Sequence, residues 1–125
     1  MILAMVVGLG GSLGAVSRYL VDGAVQDRSS GSLPLGTLTV NLVGSLVMGF
    51  VTGLFVFAGI SHEWVAVVGT GFCGGLTTWS AASWETVRLL EEKEWSIAFV
   101  TAVVGLVTCC LCAGAGFLIA YGVGH

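Results

Sequence analysis

The sequence predicts an all-α membrane protein: four transmembrane helices, with a break in the third. Three observations predict it. Hydrophobic residues make up 56% of the 125 positions, and mean hydropathy is +1.02. Only 9% of residues are charged, where soluble domains carry roughly 25%. The few charges also divide the chain into four apolar blocks, each reaching the ~20 residues that cross a ~30 Å hydrocarbon core. A chain this short cannot hide so much apolar surface in one water-exposed core, so the bilayer is its solvent.

The first block runs from Met1 to about Leu20, with Arg18 and Asp22 near its end. It has no basic leader and no small-residue cleavage pattern, so it does not read as a signal peptide. Gln26 to Leu33 is a polar connection containing Asp27 and Arg28. Pro34 opens the second block, as proline favours a first helical turn, and that block runs without formal charge to about Ile60. Ser61-His62-Glu63 is a tight connection with Ser61 as a candidate cap. The third block spans Trp64 to about Leu89, Glu91 to Glu94 form a charged link, and the fourth block runs from Trp95 to about Tyr121. Trp64, Trp95 and Tyr121 fall at predicted interfaces, where amphipathic rings sit. No soluble domain or internal repeat is visible, so residues 1–125 form a single transmembrane domain.

Gly10 and Gly14, Gly49 and Gly53, and Gly71 and Gly75 are each spaced i, i+4. In lipid, small residues at that spacing let helix backbones approach closely. Four helices enclose little interior of their own, so the spacing predicts tight packing that includes contacts between subunits. The four cysteines, Cys73, Cys109, Cys110 and Cys112, lie in apolar runs without zinc-site spacing, and read as small buried hydrophobes. A net charge of −3 points to no nucleic-acid partner. Arg28, Arg88 and Lys93 lie on one side of the predicted membrane, and no Lys or Arg lies on the side of the termini. Positive-inside reasoning puts the termini outside the cytoplasm.

The third block is organised around Gly71-Phe72-Cys73-Gly74-Gly75-Leu76-Thr77-Thr78-Trp79-Ser80-Ala81-Ala82-Ser83-Trp84-Glu85. Glycine pairs loosen a helix, and hydroxyl side chains re-satisfy the backbone that a break sets free. Irregular backbone at membrane depth is tolerated only where it is buried in protein or lines a pathway. A break at Gly74-Gly75 would expose carbonyls suited to a cation such as Na⁺. At 100° per residue, Thr77, Ser80 and Ser83 share an arc of about 120°. Such a track of neutral donors suits a small anion that must bind favourably but weakly; the alternative is back-bonding to their own helix. Asn41 has two roles open to it, an interhelical hydrogen bond or a donor aimed at a pathway. Arg18 either snorkels or raises the potential over an anion entrance. Glu85 either pairs with Arg88 at i+3 or sits at a pore mouth.

Three stretches together resemble the Fluc (CrcB-type) fluoride channels. They are Gly10-Gly11-Ser12-Leu13-Gly14-Ala15-Val16-Ser17-Arg18-Tyr19, Gly36-Thr37-Leu38-Thr39-Val40-Asn41-Leu42-Val43-Gly44, and the Gly71 to Glu85 stretch. The resemblance covers three of the four helices in order. It implies an antiparallel dual-topology dimer in the cell (inner) membrane, two fluoride pores, passive export of fluoride, and a structural Na⁺ at the dimer centre. Gly74 and Thr77 would match the Na⁺-binding carbonyls. Asn41 would match the pore asparagine, and Thr78, Trp79, Ser80 and Ser83 the fluoride pathway. Glu85 would be the vestibule carboxylate, and Arg18 the arginine near the entrance.

The family's usual run at the break is Thr-Thr-Phe-Ser-Thr-Phe-Ser, whereas this chain reads Thr77-Thr78-Trp79-Ser80-Ala81-Ala82-Ser83. Trp79 still offers an electropositive ring edge, and Ala82 offers none, so this subunit lacks at least one fluoride contact. The Lys/Arg asymmetry also departs from a chain that inserts both ways. Both features favour a fixed-orientation subunit that pairs with a related four-helix chain rather than a second copy. Two other readings stand beside the channel. A small multidrug-type proton-coupled exporter needs a carboxylate in mid first helix, where this chain has none before Asp22; a pore-impaired structural partner would conduct nothing alone. His62 and His125 stand without a nucleophile–base constellation, so no enzyme is expected.

Overall fold

The computed structural model describes residues 1–125 and bears out the all-α membrane architecture. Helix α1 spans Ile2–Asp27 and α2 spans Leu35–Ala58. The third span, His62–Glu91, is two helices. Its first half, α3, covers residues 62–76 and is π-helical over Val65–Cys73; its second half, α4, is Trp79–Glu91. Helix α5 is the fourth span, Trp95–Gly124, with a π-helical turn at Val100–Val104. Only 20 of 125 residues are buried, and large apolar side chains stand exposed along all four spans. That inversion of the water-soluble pattern makes the chain a multi-pass membrane protein.

Helix α1 runs about two turns beyond the Leu20 limit read from the sequence, because Val21 and Gly23 to Val25 continue the helix around Asp22. Arg18 therefore lies well inside α1 rather than near its end. Gly36, in the first turn of α2, packs against the Asp22 carboxylate and donates its N–H to Gln26 Oε1 at 3.4 Å. Pro34 stands one residue before α2, and its carbonyl takes the Leu38 N–H at 3.1 Å. Ser61 occupies the predicted cap position, but its side chain makes no capping hydrogen bond.

Packing rests on two helix pairs, α2 against α5 and α1 against α3. The predicted glycine pairs build both. Gly10 and Gly14 of α1 face α3, where a Cβ on Gly10 would stand 2.8 Å from the Val67 carbonyl oxygen. Gly71 and Gly75 face back, against the carbonyls of Val7 and Gly11. Gly49 and Gly53 lie against Ala113 and Phe117 of α5, while Gly116 returns the contact to Leu46. The three pairs thus all make close contacts within the subunit. Without a hydrophobic force between helices in lipid, this backbone approach supplies the van der Waals contact that holds the bundle. Below the α2–α5 glycines, Phe57 meets Phe117 and Tyr121 edge-on, with centroids 5.0 and 5.1 Å apart.

A side chain at Gly75 must push α1 away. Gly75→Val is expected to cost about 1–3 kcal/mol of stability. Gly8→Val, at a position with open space around it, is expected to leave thermal unfolding in detergent unchanged. Equal unfolding temperatures for the two variants would show that the close α1–α3 approach does not hold the fold.

Candidate functional site

The site is built at the break between α3 and α4. The sequence placed that break at Gly74-Gly75, yet Gly74 is helical (φ −63°, ψ −37°). The chain leaves the helix at Thr77 (φ −79°, ψ 159°) and stays extended at Thr78 (φ −150°, ψ 118°). The reason lies in partners rather than in flexibility. The glycines are needed on α1, whereas the threonines bring their own hydrogen bonds. Thr77 donates its hydroxyl and its N–H to the Cys73 carbonyl, both at 2.9 Å. Thr78 Oγ1 accepts the Ala81 N–H at 3.2 Å and caps α4.

Asn41 of α2 closes the break. Its Oδ1 accepts the Thr78 N–H at 2.7 Å, and its Nδ2 donates to the Thr78 carbonyl at 3.0 Å. The amide acts as a backbone surrogate, pairing both groups that the helix has released. Of the two roles open to Asn41, the interhelical bond is therefore present, and one N–H of its amide remains for a further partner. Arg18 reaches the same break from α1, donating from Nη1 to the Thr77 carbonyl at 3.3 Å. It does not snorkel to the interface.

Two cavities flank the break. The larger, about 460 Å³, lies between α2, α4 and α5; Asn41, Thr78, Trp79, Ala82 and Ser83 all line it. The smaller, about 370 Å³, lies between α1 and α4 and holds Arg18, Asp22, Thr78 and Ser80. The hydroxyls thus do not form one track. Thr77 is extended, so helical arithmetic does not carry it onto the face of α4; Ser83 turns to the larger cavity, and Ser80 turns to the smaller. Ser80 also shares a hydrogen bond with Thr78 at 3.2 Å. Trp79 is 73% exposed on the single chain.

Glu85 does not pair with Arg88. Its Oε1 accepts the Thr37 hydroxyl at 3.1 Å, and its Oε2 is buried without a partner. Arg88 turns outward, 3.6 Å from Glu92 and 5.4 Å from the Trp84 ring centroid. One helical turn past Glu85 already faces a different environment, so i+3 spacing alone could not decide the pair.

Sequence reasoning passed over Thr37, Ser45, Thr86, Thr101 and Cys109, which also line the larger cavity. A signal was present. Thr37, Asn41 and Ser45 repeat at i, i+4, i+8, as do Thr101, Gly105 and Cys109, and each set shares one helix face.

The carbonyls at the break suit a hard cation, which takes oxygen ligands. Gly74 has lost its usual i+4 donor, because the Thr78 N–H goes to Asn41. Gly74 also faces outward, with nothing near its Cβ position. The end of α3 carries the negative pole of its dipole. Thr77 keeps one carbonyl lone pair beside the bond from Arg18. These donors fit a monovalent cation, although one chain offers fewer oxygens than such an ion takes.

A family model described as "CrcB-like protein, Camphor Resistance (CrcB)" matches residues 5–117. The chain belongs to the CrcB-like family. A Leifsonia xyli protein named "Fluoride-specific ion channel FluC 1" is 44% identical over 102 residues, covering 82% of this chain and 74% of the relative. A Pyrococcus abyssi protein named "Fluoride-specific ion channel FluC" is 41% identical over 113 residues, 90% of each. A Methanocaldococcus jannaschii protein of the same name is 42% identical over 105 residues, covering 84% of this chain and 83% of its own length.

Asn41→Ala orphans both backbone groups of Thr78, at about 1–3 kcal/mol for each unpaired group. The expected result is a lower unfolding temperature together with faster amide hydrogen exchange at Thr78. Unchanged exchange there would mean that Asn41 does not hold the break.

Proposed function

We propose that this chain is a subunit of a fluoride-selective channel that lets fluoride leave the cytoplasm passively. The observation that carries the reading is the larger cavity at the break, where Asn41, Ser83 and the Trp79 ring meet without a cationic side chain. The names of the relatives point to the same ion. Fluoride is small and strongly hydrated, so it gives up water only to close hydrogen-bond donors. Neutral donors replace that water without trapping the ion as a buried lysine or arginine would. The remaining N–H of Asn41 and the Ser83 hydroxyl are such donors, and the edge of Trp79 adds a weak positive contact. Beside the smaller cavity Arg18 would raise the local potential for an approaching anion, offset in part by Asp22, and Ser80 would add a neutral hydroxyl. Glu85 would mark the mouth of the pathway.

Na⁺ would be held by the carbonyls of Gly74 and Thr77, together with oxygens from a second subunit in an antiparallel dimer. When bound it would supply positive charge at the ends of the two α3 helices. Gly74 would contribute a carbonyl left unpaired because Asn41 takes the Thr78 N–H, and Thr77 the lone pair left beside its bond from Arg18.

A heteromeric pairing is favoured over two copies of this chain. Ala82 lines the larger cavity where the resemblance would place a second aromatic ring, and the Lys/Arg asymmetry fixes one orientation. A related four-helix chain of opposite bias would restore both.

Proteoliposomes loaded with fluoride test the reading through an external fluoride electrode. Release is expected with Na⁺ present, and weaker release after exchange of Na⁺ for a larger cation. Co-reconstitution with the related chain is expected to exceed release from this chain alone. Absence of fluoride release from every assembly containing the chain would refute the channel reading, and full release from the single chain would refute the heteromeric one.

A further inference from the structure

Two positive charges have a use for the same carbonyl. Arg18 Nη1 donates to the Thr77 carbonyl at 3.3 Å, and Thr77 is one of the two residues whose carbonyls suit a cation. Packing delivers the guanidinium there. Helices α1 and α3 run parallel in close contact, and Gly14 lies against the Phe72 carbonyl and the Leu76 N–H. Arg18 follows Gly14 by one turn, and Thr77 follows Leu76 directly, so the side chain arrives at the point where α3 ends.

An acidic partner was available to Arg18. Asp22 stands one turn further along α1 and lines the same smaller cavity, yet the two make no ion pair within 4.0 Å. The Asp22 carboxylate packs instead against Gly36 in the first turn of α2, where the helix dipole favours negative charge. The guanidinium is thereby left to a neutral carbonyl. Arginine keeps its charge at every accessible pH, so a full positive charge sits at the C-terminal end of α3, the negative pole of that helix.

A carbonyl oxygen has two lone pairs, so Arg18 does not exclude a cation by filling the site. It opposes one by charge, since two cations on one oxygen repel strongly at membrane depth. Asp22, in the same cavity, offsets part of that repulsion.

We infer that Arg18 sets how tightly the break holds its monovalent cation: the guanidinium on the Thr77 carbonyl weakens the site, and replaces the charge of the ion when the ion is absent. The inference rests on the reading of Gly74 and Thr77 as Na⁺ ligands. It makes Arg18 a positioning residue of the cation site as well as a source of potential over the smaller cavity.

The test is thermal unfolding, in detergent, of the assembly that contains this chain, over a NaCl series. N-methyl-D-glucamine chloride holds the ionic strength constant. An ion bound only by the folded state raises the unfolding temperature, and the concentration at which the rise begins reports its affinity. Arg18→Gln removes the charge, and its rise is expected to begin at about tenfold lower Na⁺. In Na⁺-free buffer the same variant is expected to unfold at a lower temperature than the wild type. Arg18→Lys keeps the charge and is expected to keep the wild-type onset. Asp22→Asn keeps the guanidinium and removes the offsetting charge, so its onset is expected at higher Na⁺.

A merely structural arginine would lower the unfolding temperature of Arg18→Gln equally at every Na⁺ concentration. That result would overturn the inference, as would an onset in Asp22→Asn at or below that of the wild type. Either would leave the Na⁺ reading intact. A wild-type assembly whose unfolding temperature does not respond to Na⁺ would overturn both.

Discussion

The bond pair between Asn41 and Thr78 is the constraint on which the rest of the site depends. A helix interrupted at membrane depth releases an N–H and a carbonyl that no water can reach, and each costs energy if left unpaired. One amide from a neighbouring helix takes both, at 2.7 and 3.0 Å. Thr78 is then held extended, its hydroxyl is free to cap α4, and the carbonyl of Gly74 is left without its usual partner. The two cavities, the free carbonyls and the start of α4 all follow from that single exchange.

The glycines do complementary work away from the break. Gly71 and Gly75 let α3 lie directly on α1, which is what brings Arg18 within 3.3 Å of the Thr77 carbonyl. Gly49, Gly53 and Gly116 fix α2 on α5 in the same way, and residues of both helices, Asn41 among them, line the larger cavity. Close packing in this chain therefore positions polar groups; it is not an end in itself.

Much of the fold was legible in the sequence because bilayer thickness and charge spacing are strong, local signals. The four spans, their order and the exceptional third helix all followed from block length and from where Asp27, Arg28 and Glu91 to Glu94 fall. Details set by tertiary partners were not legible. The break moved from Gly74-Gly75 to Thr77-Thr78 because Asn41, far away in sequence, rewards extension at Thr78. Glu85 chose Thr37 over Arg88 for the same kind of reason. The hydroxyl face also split, since an arc computed at 100° per residue has no meaning across an extended residue. Thr101 stayed hidden because a π turn leaves no mark in residue type, although its i, i+4, i+8 repeat with Gly105 and Cys109 was there to be read.

The central claim is that neutral donors around an Asn41-held break pass fluoride and exclude larger anions. A planar-bilayer recording with both halides on both sides, in opposed fluoride and chloride gradients, on the conducting assembly that contains this chain, tests it most directly. The account predicts a current that reverses at the fluoride equilibrium potential and does not respond to the chloride gradient. A reversal potential that follows chloride, or one that treats both halides alike, would contradict it.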